Sequence, residues 1–232
     1  NSGSAATKAV ARLVLLDNSF SHLPTVVAEG RRVIANIERV SMLFLTKTVY
    51  ATALALIFGI TIMQIPFLPR QLSITDGLTI GIPAFFLALL PNAQRYVPGF
   101  LRRSLTFAIP AGLVVALSLT VFARVCLALG VPEEELRTGT TLIVGIIGIW
   151  VLSVLARPLT WVKALIVAAM VAGLLFVMTF PLTVEFFELV EPRAEALWWV
   201  GVISAVAIVF VEIIRAVQLR VVQRRALRRA TA

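Results

Sequence analysis

Six long apolar runs, separated by short polar segments, dominate the chain from about residue 41 onward. Each run is close to the length, about 17–25 residues, that a helix needs to cross the hydrocarbon core of a bilayer. The runs predict membrane-spanning helices at about 41–63, 72–91, 105–128, 139–156, 162–182 and 197–214. The predicted fold class is therefore an all-α integral membrane protein, with a six-helix transmembrane bundle at 41–219 and a basic tail at 220–232.

Residues 1–40 form a polar segment ahead of the first apolar run. Leu13–Leu16 is a short apolar stretch, which favours a buried strand. From Leu23 to Ile37 apolar residues recur at helical spacing, and the pattern continues into the first run. We predict a stalk helix that is continuous with the first span. A segment of 40 residues is too small to bury a core of its own, so it should dock on a structure outside this chain.

Composition supports a membrane protein. Of the 232 residues, 59% are hydrophobic and 14% are charged, and the mean hydropathy is +0.97. Soluble domains have about 45–50% apolar and about 25% charged residues. These values exclude a soluble enzyme, a disulfide-rich secreted domain and a disordered tail. The sequence also holds no nucleophile–base constellation, no glycine-rich phosphate loop and no metal-ligand spacing, so the chain alone shows no catalytic apparatus.

The net charge of +9 comes from 21 Lys and Arg against 12 Asp and Glu, and it is unevenly distributed. If the six runs span a membrane, 16 basic residues lie on the side that holds both termini, and three lie on the other side beside seven glutamates. Basic residues accumulate in the cytoplasmic loops of membrane proteins. The pattern predicts cytoplasmic termini and explains the positive charge without a nucleic-acid partner.

Two charged residues in the first two spans are candidates for function, because charges are costly in hydrocarbon. Lys47 lies about two turns into the first span. It would either snorkel to the headgroups or place a fixed positive charge beside an ion site. Asp76 lies in the outer part of the second span. It would either cap a helix start or bind a hard metal cation, which prefers carboxylate, hydroxyl and carbonyl oxygens.

The second span also carries Gly77, Gly81 and Pro83. Glycines four residues apart allow another helix to approach closely, whereas a proline frees a carbonyl for a neighbour, a water or an ion. The three residues predict either helix packing or a helix break with a gating role. Near the end of the last span, Glu212 and Arg215 stand three residues apart, which favours a local ion pair.

Four segments resemble P-type cation-transporting ATPases. Ala6–Phe20 (ATKAVARLVLLDNSF) and Val27–Ile37 (VAEGRRVIANI) are similar to the end of that family's phosphorylation domain, which leads into its fifth transmembrane helix. The similarity is greater for Leu43–Tyr50 (LFLTKTVY) and Thr79–Asn92 (TIGIPAFFLALLPN), which resemble the actinobacterial calcium-transporting branch of the family. The resemblance covers the whole chain in topology and about residues 4–104 in motif detail.

The resemblance implies an ATP-driven pump in the plasma membrane that forms an aspartyl-phosphate and alternates access. Residues 1–40 would be the end of the phosphorylation domain and the stalk helix, and the six spans would be the fifth to tenth helices. The partners of this part would be the bilayer and the rest of the same, monomeric pump: the actuator, phosphorylation and nucleotide domains and the first four helices. ATP and magnesium would bind there. ATPase activity is therefore expected of the full-length protein and is undetermined for the chain alone.

The resemblance also implies ion ligands, position by position. Aligned without gaps to the sixth helix of calcium pumps, Asp76 falls on a ligand asparagine, Thr79 on a ligand threonine and Pro83 on the proline of the motif. In the fifth helix, Thr48 falls on a ligand asparagine. These matches make Asp76, Thr79 and Thr48 the candidate ligands of a transported calcium ion.

The sequence departs from the family pattern in ways that change the charge of the site. Ile80 and Ala51 stand where the family has carboxylate ligands, and Lys47 adds a positive charge. We therefore predict one bound ion, held by Asp76, Thr79 and a carboxylate of the fourth helix, with Lys47 as an internal counter-cation in the emptied state. Two alternatives stay open: a stand-alone six-span channel or scaffold without ATPase activity, or a pump of the same family for magnesium, manganese or protons.

Overall fold

The computed structural model describes residues 4–14, 19–90 and 99–230 of the chain. Within these ranges the regular secondary structure is helical throughout, which confirms the predicted all-α fold. The α-helices are α1 Ala5–Val10, α2 Leu23–Thr61, α3 Pro69–Asp76, α4 Ile82–Leu89, α5 Phe100–Ala128, α6 Glu133–Ala156, α7 Trp161–Thr179, α8 Pro181–Phe186 and α9 Ala194–Ala230. Six helical segments among the described residues are long and apolar enough to cross a membrane, which matches the six predicted spans.

The stalk and the first span are one continuous helix, α2, of 39 residues. At 1.5 Å per residue its length is about 58 Å, roughly twice the thickness of the hydrocarbon core. The helix begins with Pro24 in its first turn and ends at Ile62, whose backbone is left-handed. The strand prediction at 13–16 is wrong for Leu13 and Val14, which are exposed coil, because the described residues contain no strand that could pair with them. Leu15 and Leu16 lie outside the described residues.

The second span is a single helical run, Pro69–Leu89, that is interrupted by a π-helical turn. α3 passes into a π-helical turn at Gly77–Gly81, called the π segment below, which passes into α4. The Ile82 N–H donates to the Gly77 carbonyl, so the hydrogen-bond ladder skips one residue at this point. Pro83 has no N–H and cannot continue the regular ladder, which explains why the helix changes pitch just before it.

α6 lies at the centre of the bundle. In its most apolar stretch 78% of the residues are buried, against 22–44% in the other five spans. Two of its glycines allow close packing: a Cβ on Gly139 would lie 2.4 Å from the Phe122 ring, and one on Gly145 would lie 3.0 Å from Leu174. Small residues let neighbouring membrane helices approach closely. Close approach matters because, in lipid, dispersion contacts rather than the hydrophobic effect hold helices together.

Polar contacts link the helices at the end of the bundle that carries the stalk, called the stalk side below. The guanidinium of Arg103 on α5 donates two hydrogen bonds, each of 2.8 Å, to the Glu38 carboxylate of α2. Gln218 of α9 donates to the Arg103 carbonyl at 2.9 Å, and Asn36 of α2 donates to the Ala88 carbonyl of α4 at 2.9 Å.

The local ion pair predicted for Glu212 and Arg215 is wrong. Glu212 pairs with Arg157 at 2.6 and 2.9 Å and accepts a hydrogen bond from the Trp150 indole at 3.1 Å, while Arg215 donates to Gln218 at 2.6 Å. The reason is the rotation of α9, which turns Glu212 toward the end of α6. Hydrogen bonding to Glu212 raises the pKa of the Arg157 guanidinium above its ordinary value.

Candidate ion-binding site

An ion pair joins the first two spans. The ammonium of Lys47 on α2 donates to Oδ2 of Asp76, the last residue of α3. Both side chains are largely withdrawn from the surface, with exposed fractions of 32% for Lys47 and 22% for Asp76. The second carboxylate oxygen, Oδ1, is buried and has no hydrogen-bond partner among the described residues. A buried acceptor without a donor is costly, so Oδ1 is available to a cation.

Hydroxyl groups and a small cavity lie beside this pair. The cavity has a volume of about 30 Å³, and its polar lining residues are Thr46, Lys47, Tyr50 and Thr79. That volume is enough for one water-sized guest. The hydroxyls of Thr46 and Thr79 donate to the carbonyls of Met42 and Thr75, each at 2.7 Å, so their oxygen lone pairs are free to accept or to coordinate.

The π segment places Thr79 against the cavity, and Gly148 of α6 makes room for it. A Cβ on Gly148 would lie 2.6 Å from Thr79 Cγ2, closer than side chains tolerate. π turns inside helices occur frequently at functional sites. Thr79 itself is only 5% exposed, so its hydroxyl is held in one place by the packing.

Gly77 and Gly81 have a different environment. A Cβ on Gly77 would meet nothing within 4 Å, and one on Gly81 would meet only the Asp76 carbonyl of its own helix at 3.9 Å. Within the described residues, therefore, helix packing does not require these two glycines. Their predicted role in a helix break stays a prediction, together with that of Pro83, which is buried just after the π segment.

Thr48 lies apart from the other candidates. Its side chain is on the exposed face of α2 and donates to the Phe44 carbonyl at 3.0 Å. Thr46 and Tyr50 lie on the buried face of the same helix, and the Tyr50 hydroxyl faces the Asp76 carboxylate as a hydrogen-bond donor at the edge of bonding range. Sequence reasoning missed these two residues, although spacing points to Tyr50, which is three residues from Lys47 and therefore on the same side of the helix.

The charge of the site limits what it can hold. Lys47 and Asp76 together are neutral, and the described residues contain no group of three or more His, Cys, Asp or Glu that could hold a metal. Calcium takes six to eight oxygen ligands. Such an ion would have to displace the Lys47 ammonium from Asp76 and take further oxygens from elsewhere.

Six membrane-spanning helices with an interrupted helix and a charged pair are typical of the transport domain of an ion-translocating membrane protein. No protein-family model matches the chain. It is 42% identical to the calcium-transporting ATPase CtpE of Mycolicibacterium smegmatis and 41% identical to that of Mycobacterium bovis, each over 86% of this chain and 29% of the relative. The probable cation-transporting ATPase exp7 of Streptococcus pneumoniae is 31% identical over 88% of this chain and 27% of the relative.

The chain belongs to the P-type cation-transporting ATPases. It spans about 29% of the length of the mycobacterial relatives and corresponds to a membrane-spanning part of such a protein.

Proposed function

We propose that these residues form the ion-translocating part of an ATP-driven pump that transports calcium across the bacterial plasma membrane, with both termini in the cytoplasm. The names of the mycobacterial relatives support calcium, and the asymmetry of basic residues supports the orientation. ATP and magnesium would act on parts of the full-length pump outside this chain. The observation that carries the proposal is the unpartnered Oδ1 of Asp76, whose other carboxylate oxygen pairs with Lys47 at the start of the π segment.

Asp76 and Thr79 are the proposed ligands of one calcium ion. The Asp76 carboxylate would supply charge, and the Thr79 hydroxyl would supply a neutral oxygen. Pro83 has no N–H to donate, so one backbone carbonyl of the preceding turn lacks its helical donor. Thr48 is the weaker candidate, because it could contribute only from the exposed face of α2. The remaining oxygens would come from the rest of the pump.

Lys47 is the proposed internal counter-cation. When calcium binds, the ammonium leaves Asp76; when calcium leaves, it returns and neutralises the carboxylate. Burying an unpaired carboxylate would be strongly unfavourable, so a tethered cation lets the site empty without a replacement ion from solution. With a single carboxylate in this part of the site, the charge balance favours one calcium ion per cycle.

The continuous helix α2 is the proposed mechanical link between ATP chemistry and the site. Its stalk half extends beyond the bilayer, and its membrane half carries Lys47. A rotation of the stalk would therefore move the ammonium relative to Asp76. This coupling requires α2 to adopt two positions, each favoured by one ligand state.

The test is calcium uptake by the full-length pump in sealed vesicles, with wild type compared with Asp76→Asn. The variant should lose calcium-dependent phosphorylation and uptake, while Ser73→Ala, an exposed hydroxyl on the same helix, should transport normally. Full calcium-dependent phosphorylation in Asp76→Asn would reject the ligand role.

The neutral Lys47–Asp76 pair also favours a second candidate, because a single carboxylate beside a base suits proton transport. Uptake measured with magnesium, manganese or a proton gradient in competition with calcium separates the two. A pump that acidifies vesicles without calcium would be a proton pump. Ion flux without ATP would instead indicate the stand-alone channel.

A further inference from the structure

Three hydroxyl groups line the small cavity beside the Lys47–Asp76 pair, and the hydrogens of all three already have acceptors. The cavity lined by Thr46, Tyr50 and Thr79 is called the hydroxyl cavity below. The Thr46 and Thr79 hydroxyls each donate at 2.7 Å to the backbone carbonyl one turn earlier, and the Tyr50 hydroxyl faces the Asp76 carboxylate as a donor. A hydroxyl has one hydrogen and two lone pairs. The hydroxyl cavity therefore offers acceptors and suits a guest that donates hydrogen bonds.

The size and the walls of the hydroxyl cavity narrow the choice of guest. Its volume of about 30 Å³ holds one water-sized group. Its described lining residues include no carboxylate, whereas a hard metal cation prefers charged oxygens. An ammonium group is about as large as a water molecule and has three hydrogens to donate, one for each of the three hydroxyls. The hydroxyl cavity therefore matches an ammonium group better than a metal ion.

The side chain of Lys47 itself lines the hydroxyl cavity, although its ammonium donates to Asp76 in this structure. A lysine carries its ammonium on a flexible four-carbon stem, so the ammonium can change partner while α2 stays in place. The second span runs toward the stalk side, because Asn36 of the stalk donates to the Ala88 carbonyl near the end of that span. Thr79 therefore lies nearer the stalk side than Asp76, and a move into the hydroxyl cavity takes the ammonium in that direction.

We propose that the hydroxyl cavity is a second position for the Lys47 ammonium, which it occupies while calcium binds Asp76. This inference rests on the proposed function, in which calcium displaces the ammonium from the carboxylate. A displaced ammonium without acceptors would be a buried, unpaired charge, which is strongly unfavourable. Lone pairs of Thr46 and Tyr50 would accept its hydrogens, and hydrogen bonds from a charged group are stronger than neutral ones. The hydroxyl cavity would thus lower the free-energy cost of binding calcium.

Thr46 and Tyr50 would then act on calcium through Lys47, as positioning residues and not as ligands. Thr79 has two lone pairs, so it can serve calcium with one and the hydroxyl cavity with the other. Thr46 is only 5% exposed, so packing holds its hydroxyl in place at the cavity wall. Loss of the Thr46 hydroxyl should therefore weaken calcium binding when Lys47 is present and leave it unchanged when Lys47 is absent. Loss of a direct calcium ligand would weaken binding in both cases.

The experiment measures equilibrium binding of radioactive calcium to the full-length pump without ATP, and thermal unfolding checks that each variant is folded. Thr46→Val removes the hydroxyl and keeps the shape of the side chain. It should raise the calcium concentration for half-maximal binding at least about tenfold, as expected for the loss of one hydrogen bond to a charged group. Thr46→Ser keeps the hydroxyl and should bind calcium as wild type does. Thr61→Val should also match wild type, because it removes an exposed α2 hydroxyl that donates to the Ile57 carbonyl at 2.6 Å.

The same substitution is then made in a pump without the ammonium. Lys47→Met and Lys47→Met/Thr46→Val should bind calcium with affinities that agree within about twofold, because no ammonium has to be accommodated. If Thr46→Val does not fold, Val144→Ile takes its place with the same expectation. Val144 is a buried wall residue of the hydroxyl cavity, and the added methylene narrows the space for the ammonium.

Two results would overturn the proposal and leave the proposed function standing. An equal loss of calcium affinity with and without Lys47 would make Thr46 a calcium ligand. Wild-type affinity in Thr46→Val would mean that the displaced ammonium goes elsewhere. Wild-type calcium affinity in Asp76→Asn is a different failure, because it would reject the ligand role of Asp76 and, with it, the displacement of the ammonium.

Discussion

Gly148 of α6 lies in direct contact with Thr79 of the π segment. A Cβ on Gly148 would lie 2.6 Å from Thr79 Cγ2, 2.9 Å from Thr79 Cβ and 3.3 Å from the hydroxyl oxygen. The position of the hydroxyl therefore depends on the absence of a side chain on the neighbouring helix.

Gly148→Ala should lower the calcium affinity of the full-length pump and destabilise it by about 1–3 kcal/mol, the usual cost of overpacking. Calcium-dependent ATP hydrolysis and thermal unfolding measure the two effects. Gly201→Ala is the matched control, because a Cβ there meets nothing within 4 Å. Thr79→Ser removes the clashing methyl and should partly restore stability in the double variant; no such coupling would mean that the two residues do not interact.

Lys47→Met should slow the calcium-stimulated turnover of the full-length pump by at least about tenfold, because the Asp76 carboxylate would be left without its counter-charge once calcium has left. Lys47→Arg keeps the charge and should retain the wild-type turnover. If Lys47→Met keeps normal calcium-stimulated phosphorylation and turnover, the residue is not a counter-cation.

Pro83→Ala should stabilise the protein and weaken calcium binding. The new N–H could donate to the Thr79 carbonyl four residues earlier and restore a regular helix, which is worth up to about 3 kcal/mol. The same change removes the break beside the site. Pro110→Ala, inside α5, should raise the unfolding temperature without changing calcium affinity. If Pro83→Ala raises both the unfolding temperature and the calcium affinity, the break has no role in calcium binding.

Glu38→Gln should destabilise the bundle more than Glu29→Gln. The Glu38–Arg103 side chains are 20% and 15% exposed, whereas Glu29 and Arg32 are 55% and 37% exposed. A charge-assisted pair that is partly buried is worth about 1.5–3 kcal/mol, an exposed pair about 0–1 kcal/mol. Thermal unfolding of both variants gives the comparison, and equal shifts would mean that the contact between stalk helix and α5 contributes little.

The sequence predicted the six spans because the bilayer imposes both their length and their helical form. An apolar run with no water to satisfy its backbone has to close its hydrogen bonds internally. The same reasoning identified Lys47 and Asp76, since a charge in such a run is rare. That the two residues pair with each other did not follow from the sequence, because they lie 29 positions apart on different helices.

The rotation of each helix about its own axis decided which of the predicted contacts formed. Thr48 and Thr46 differ by two positions, yet Thr46 lines the cavity and Thr48 is exposed. The rotation of α2 is set by close packing, for a Cβ on Gly112 of α5 would lie 2.8 Å from the Thr46 carbonyl. Glu212 likewise points to Arg157 on another element and not to Arg215 on its own helix.

The sequence by itself determined the class of protein and the number of spans, because these depend on hydropathy and chain length. Only the tertiary structure decided which faces meet: the Lys47–Asp76 pair, the contact of Thr79 with Gly148, and the hydroxyl cavity. The physical reason is that a bilayer specifies that helices form, whereas the rotation of each helix is set by side-chain packing against its neighbours.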